Sequence, residues 1–212
     1  MNWPDRFQVS IRTLVLCSCL GIGQAVAQEA IGTVTQIQGD ASATHGVSTH
    51  LLGANASVYL NEVVSTSDGA RLELTFKDDT QLTLSEKAKL TLDTYIYNPV
   101  AARGAIIFEV AGAFRFVSGR LSKLAKSDVS VTTPVATIGI RGTDFWAGPI
   151  DGQALGVFLI TGAVSVSNAT GAQILNRSGQ GTNIAARGAA PGAVTFWPPD
   201  KINRALAAVA FR

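Results

Sequence analysis

The stretch Val129–Phe145, VSVTTPVATIGIRGTDF, constrains this chain more than any other. Val129 and Val131 alternate with Ser130 and Thr132, the period-2 mark of a half-buried strand. Pro134 breaks the pattern, because it has no N–H to give to a central ladder. Ile138 and Ile140 resume an apolar face. Arg141-Gly142-Thr143-Asp144 then reads as a sharp polar turn ahead of the aromatic pair Phe145 and Trp146. A lone arginine between Ile140 and Gly142 is unusual for a solvated loop. Its five donors in a rigid fork suit it to tie several backbone carbonyls together. Because each buried unpaired polar group costs ~1–3 kcal/mol, the expectation is an internal brace whose removal costs several kcal/mol. Gly142 supplies backbone angles that other residues avoid, and Thr143 and Asp144 supply local hydrogen bonds. Phe145 is expected to fill the core. The rival use of Arg141, Phe145 and Trp146 is a sugar- or peptide-binding platform, since arginine stacks on aromatic faces.

The same alternation recurs along the chain. Ile31, Val34 and Ile37 open a first strand, turned by Gly39-Asp40, and Val58 to Val64 form a second region, ended by Ser67-Asp68-Gly69. Leu72, Leu74 and Phe76 make a clean face, Lys77 to Thr80 a hairpin turn with aspartates that bond their own backbone, and Leu82 and Leu84 the return. Leu90 and Leu92, then Ile106, Phe108 and Val110, then Phe114 and Phe116 follow, and Val157 to Ile160, Val164, Val166 and Ile174 continue the series. Short strands with glycine turns predict one all-β domain over residues 28–176. It is expected as stacked short strands and hairpins, either β-helix-like or a twisted sandwich. Gly119 to Ser127 allows one or two helical turns. Arg177 to Ala193, rich in Gly, Ala, Ser and Asn, reads as a surface loop or linker, so residues 177–199 are set apart. Residues 200–212 are predicted as a short helix, with Asp200 as N-cap and Ile202, Leu206, Val209 and Ala210 on one face.

The N-terminus reads as an export signal over residues 1–27. Arg6 and Arg12 make a basic region, a short apolar run follows, and Ala25-Val26-Ala27 is a small-residue cleavage site. Leu16-Cys17-Ser18-Cys19 loosely resembles a lipidation signal, which makes Cys19 the alternative anchor. Both cysteines lie in the removed segment, so the mature chain has none. That excludes a disulfide scaffold and a thiolate metal site. Removing Arg6, Arg12 and Asp5 leaves 15 basic against 14 acidic residues and a net charge of +1. Nothing in this balance calls for nucleic acid. No later apolar run reaches the ~20 residues of a spanning helix, so no transmembrane helix is expected after cleavage. The predicted location is periplasmic or secreted.

The central stretch resembles the FecR-domain family, named after the iron-dicitrate transport regulator. The family pattern T-P-x-A-x-x-G-x-R-G-T-x-F is met by Thr133, Pro134, Ala136, Gly139, Arg141, Gly142, Thr143 and Phe145. A second family pattern, G-[AS]-x-A-x-L-x-F-x-D-G-[ST]-x-L-x-L, is met over Gly69–Leu84, with Asp79 where the family usually has glycine. The resemblance implies a non-catalytic extracytoplasmic module, and pulls the fold toward an elongated stack. Regulator-type members also need a cytoplasmic N-terminal domain and a membrane helix. Neither is read here, so the resemblance points to the free-standing secreted members.

The residues offer no catalytic constellation. His45 and His50 have no metal-ligand spacing and read as loop residues. Asp78 and Asp79 are neighbours that point to opposite faces of a strand, so they do not form an acid–base pair. No phosphate loop and no G-x-S-x-G motif is present. The expectation is therefore no enzyme and no cofactor or metal. The role expected is binding of an envelope protein, peptide or cell-wall component for sensing or assembly. The candidate residues are Thr133, Pro134, Gly139, Arg141, Gly142, Thr143, Asp144 and Phe145. A β-helix carbohydrate-active enzyme and an oligomerising envelope structural protein are the alternatives.

Overall fold

The computed structural model describes residues 28–212; the expected export signal, with Cys17, Cys19 and the expected cleavage site, falls outside the described residues. The described chain is mostly strand with one short C-terminal helix. A long bent hairpin organises it, formed by β12 (Thr137–Ile150) and β13 (Gln153–Asn168). The ladder between them slips at Arg141 to Asp144. On either side of that slip, each strand changes its outer neighbour.

Before the bend, β12 pairs with β11 (Lys126–Thr132), through Ser130–Gly139, Val131–Ile138 and Thr132–Thr137. After it, β12 pairs with β10 (Phe114–Val117), through Phe114–Ala147 to Val117–Asp144. Likewise β13 pairs with β15 (Gln180–Ile184) near one end and β14 (Gly171–Leu175) near the other. The sheet thus forks. One arm continues from β11 through β9 (Arg103–Ala111), β8 (Lys89–Asn98), β5 (Val63–Thr66) and β2 (Ala41–His45) to the edge strand β3 (Ser48–Leu51). The other runs from β10 through β7 (Gln81–Leu84), β6 (Arg71–Phe76) and β1 (Ala30–Gln38) to β4 (Ser57–Tyr59).

The arms curl into a half-barrel around one core. The alternating faces read from the sequence fill it: Leu72, Leu74, Leu82, Leu84, Leu90, Leu92, Phe108 and Phe116 are all buried. Phe76 of one arm meets Phe108 of the other with ring centroids 5.1 Å apart. Between the two expected forms, the strand pairing decides. Among the described residues β9 and β11 pair in parallel, whereas a β-helix stacks parallel strands throughout. The other ladders are antiparallel, as hairpin connections dictate.

Two segments differ from expectation. Residues 180–184, placed in a loop or linker, form β15, and its Thr182 and Ile184 are fully buried. The last helix, α1 (Pro199–Val209), starts from Pro198, with Asp200 in its first turn, where a carboxylate suits the positive helix end. It buries Ala205 and Val209 over the outer face of the β12–β13 hairpin, against Trp146, Phe158 and Trp197. Trp197 stacks on Phe158 at 5.4 Å, and the Lys201 ammonium lies 4.1 Å from the Trp197 ring centroid. Gly119–Ser127 contains one 3₁₀ turn, Arg120–Lys123.

Candidate functional site

The residues of the central motif take separate jobs. Thr133 to Ala136 is the turn that joins β11 to β12. The Thr133 backbone N–H donates to the Ala136 carbonyl at 2.8 Å, and the Ala136 N–H donates back to Thr133 Oγ1 at 3.1 Å. Pro134 sits at the second turn position, where its fixed φ is already correct. Threonine is therefore needed for its hydroxyl and proline for its ring. Gly139 faces Ser165 across the β12–β13 ladder; a Cβ there would sit 2.6 Å from Ser165 Oγ.

The Arg-Gly-Thr segment is a bend inside a continuing strand, in place of the expected terminating turn. Gly142 has φ +57° and Gly162 opposite has φ +86°. A Cβ on Gly162 would approach the Gly142 carbonyl oxygen to 2.2 Å, so the bend needs glycine there for space as well as for angle. Thr143 clamps the bend. Its hydroxyl donates to the Ala163 carbonyl at 2.7 Å, and its N–H donates to Ser118 Oγ at 2.9 Å. Asp144 accepts a two-pronged pair from Arg115, Nε to Oδ1 at 2.9 Å and Nη2 to Oδ2 at 2.7 Å. Those hydrogen bonds push the Arg115 guanidinium above its ordinary range, against the opposing effect of partial burial. Phe145 fills the core against Phe114 and Phe116. Trp146, its neighbour on the strand, points the other way and is covered by α1, so the two aromatics form no open platform.

Arg141 contradicts the internal brace expected of it. Its side chain is exposed, and it donates to no group among the described residues. The period-2 rule explains this: Ile138 and Ile140 face inward, so Gly139 and Arg141 face outward. Arg141 instead lines a cavity of about 380 Å³ on the outer face of the sheet, with Ser127, Asp128, Gly139, Ser165 and Ile174. The cavity exists because the strands diverge. The β9–β11 ladder runs down to Lys126, but the β11–β12 ladder stops at Ser130–Gly139. Asp128 is the one carboxylate among its lining residues. Glycoside hydrolysis by paired carboxyl groups requires two.

The brace role falls to Asp78, expected from the sequence to bond only within its own turn. Asp78 is fully buried at the tip of the β6–β7 hairpin. Its carboxylate accepts from Thr80 Oγ1 at 2.7 Å, Tyr95 Oη at 3.0 Å and the Leu121 N–H at 3.1 Å. Its own N–H donates to Tyr95 Oη at 2.9 Å, and its carbonyl accepts from the Arg120 N–H at 2.7 Å. One side chain thus ties three segments together. Burial, followed by the negative charge of Asp78, drives the Tyr95 phenol well above its ordinary range. The sequence held the signal: Phe76 points inward, so Asp78, two residues on, points inward too. Asp79 has φ +66°, a left-handed turn position, which accounts for the glycine usual there in the resemblance pattern.

The two histidines lie on β2 and at the exposed edge strand β3. No group of three or more His, Cys, Asp or Glu side chains placed to hold a metal occurs among the described residues. None of the described helices is long and apolar enough to cross a membrane.

Residues 62–165 match the FecR protein family. The chain carries a FecR domain, spanning β12, its bend, the Asp78 tie and most of β13. Two crystal structures of a candidate anti-sigma factor from Parabacteroides distasonis ATCC 8503 share the fold. Each superposes with a TM-score of 0.55 at 16% identity, covering 68% of this chain. The likeness spans 64% of one of those chains and 63% of the other. No curated protein matches the sequence.

Proposed function

We propose that this protein is a non-catalytic extracytoplasmic module that binds a protein, peptide or cell-wall partner for sensing or envelope assembly. One observation carries the reading. Of the motif side chains with hydrogen-bonding groups, Thr133, Thr143 and Asp144 are engaged within the fold, whereas Arg141 projects into an open groove. A guanidinium free of internal partners is suited to recognition rather than to stability. The FecR match supports a sensing role.

The test is in-cell photocrosslinking from position 163, which lines the groove, with the parent chain and with Arg141→Ala. The expected result is a discrete crosslinked envelope species in the parent that is lost in the variant. Because Arg141 is exposed, the variant is expected to melt within about 2 °C of the parent, consistent with the small effects of surface substitutions. Identical crosslinks from both chains would defeat the assignment of this groove.

The exposed edge of β3 favours a second reading, self-association. All four of its residues are exposed; Leu51 has 78% relative exposure, and Val47, in the turn just before the strand, is fully exposed. Such an edge pairs with another strand unless blocked. Elution volume on size exclusion that shifts with concentration, and stops shifting in Leu51→Lys, is the expected signature.

A further inference from the structure

We infer that the Arg141 groove takes a short zwitterionic peptide of two or three residues, bound as an extended segment between β11 and β12. This rests on reading the groove as the partner site, and adds the chemistry of what enters it.

Three features of the groove converge. The first is backbone. Residues 126–129 of β11 pair with β9 on one side only, because β12 leaves the ladder beyond Gly139. On their other side, N–H and C=O groups face the gap without ladder partners among the described residues. Four residues of strand span ~13 Å, room for two or three residues of added strand, which would gain main-chain hydrogen bonds in the way of β-augmentation.

The second is charge. Arg141 and Asp128 line the same cavity, yet no ion pair joins them among the described residues. Were the β11–β12 ladder to continue past Ser130–Gly139 in register, residues 128 and 141 would lie opposite each other. The divergence of the strands separates them and leaves one cation and one anion for a guest. A guest with a carboxylate and an ammonium satisfies both; a single anion or a neutral sugar satisfies one or neither.

The third is size. The cavity of about 380 Å³ lies near the lower end of ligand sites. Its walls are Gly139, Ala163, the hydroxyls of Ser127 and Ser165, and Ile174, which is 66% exposed. Gly139 keeps the floor low beside Ser165 Oγ. Small apolar side chains fit such walls. In the proposed pose the carboxylate end meets Arg141 as a fork-to-fork pair and the amino end meets Asp128.

The experiment titrates the purified protein with trialanine, N-acetyl-trialanine and trialanine amide, read by backbone amide NMR shifts and calorimetry. Trialanine is expected to perturb Asp128, Gly139, Arg141 and Ser165. Blocking either end is expected to weaken binding about tenfold or more, the effect of losing ~1.4 kcal/mol from one charge-assisted contact. Arg141→Gln is expected to abolish the penalty of the amide block, and Asp128→Asn that of the acetyl block. This exchange of sensitivities is a readout that a folding defect does not produce. The inference is overturned if trialanine leaves these amides unmoved at 10 mM, or if the three peptides bind alike. If peptides fail while the Arg141-dependent crosslink persists, the partner site stands and the peptide chemistry falls. If peptides bind as described and no crosslink forms, the slot stands and the larger partner falls.

Discussion

Asp78→Ala is the substitution that most directly probes how the two arms are held. The change leaves three donors without their acceptor: the hydroxyls of Thr80 and Tyr95 and the N–H of Leu121. Taking each near the low end of ~1–3 kcal/mol gives about 3 kcal/mol. The void left by the carboxyl group, in a position with no exposed surface, raises the cost to about 4 kcal/mol. That is a large share of the ~5–15 kcal/mol that stabilises a domain. At ~2–4 °C per kcal/mol for a chain of this size, the melting temperature should fall by ~8–16 °C. Asp78→Asn keeps one acceptor oxygen but turns an NH2 toward existing donors, so about half that loss is expected. Circular dichroism melts and urea titrations read both. Tyr95→Phe supplies the second arm of a double-mutant cycle, with a coupling of ~0.5–3 kcal/mol expected for groups in direct contact. Melting within about 2 °C of the parent for Asp78→Ala, or strict additivity with Tyr95→Phe, would show that the tie is not what joins these segments.

Gly162→Ala should cost more than ~3 kcal/mol, because its Cβ collides with the Gly142 carbonyl, whereas Gly142→Ala, at positive φ in open space, should cost only ~1–2 kcal/mol; urea midpoints separate the two. Asp79→Gly should change stability by less than about 0.5 kcal/mol, since relief of the left-handed backbone is offset by greater freedom of the unfolded chain and loss of the exposed pair with Arg120. Tyr95 gives a pH dependence. Its phenol is held neutral in the folded protein but ionises near its ordinary ~10 when unfolded. Its contribution is therefore complete below that value and is lost as pH rises above it. Tyr95→Phe should flatten the alkaline limb of a stability-against-pH curve, and an unchanged limb would argue against burial of the phenol.

Most strands of this fold were legible because each carries its own alternation. Leu72, Leu74 and Phe76, or Ile106, Phe108 and Val110, announce their inward faces without knowledge of any neighbour. The β12–β13 bend was visible as a glycine-bearing polar interruption, but its meaning was not. Whether a strand stops or changes partner depends on β10 and β11 arriving on either side, and that is a non-local fact. β15 was missed for a different reason. Its sequence, Gln180-Gly-Thr-Asn-Ile184, has one large apolar residue, and it is strand because β13 offers an edge, not because of its own propensity. Arg141 is outside and Asp78 inside, the reverse of what their residue types suggest, although the alternation carries the signal. Counting in twos from Ile140 and from Phe76 places the first outside and the second inside. Residue character, an arginine apt for bracing and an aspartate apt for turning, points the other way from phase at both positions, and phase decides where the side chain goes.

A strand that must satisfy three neighbours sets the order in which this protein can assemble. The β6–β7 and β11–β12 reversals close locally and need little chain to be searched. Among the described residues the ladder passes from one arm to the other through β12, since β10 and β11 do not pair with each other. Because unfolded chains reach distant contacts slowly, early closure of the Thr133–Ala136 turn, which lays β12 against β11, is expected to speed the later pairings. Damage there would be felt first as a lag in reaching the native state.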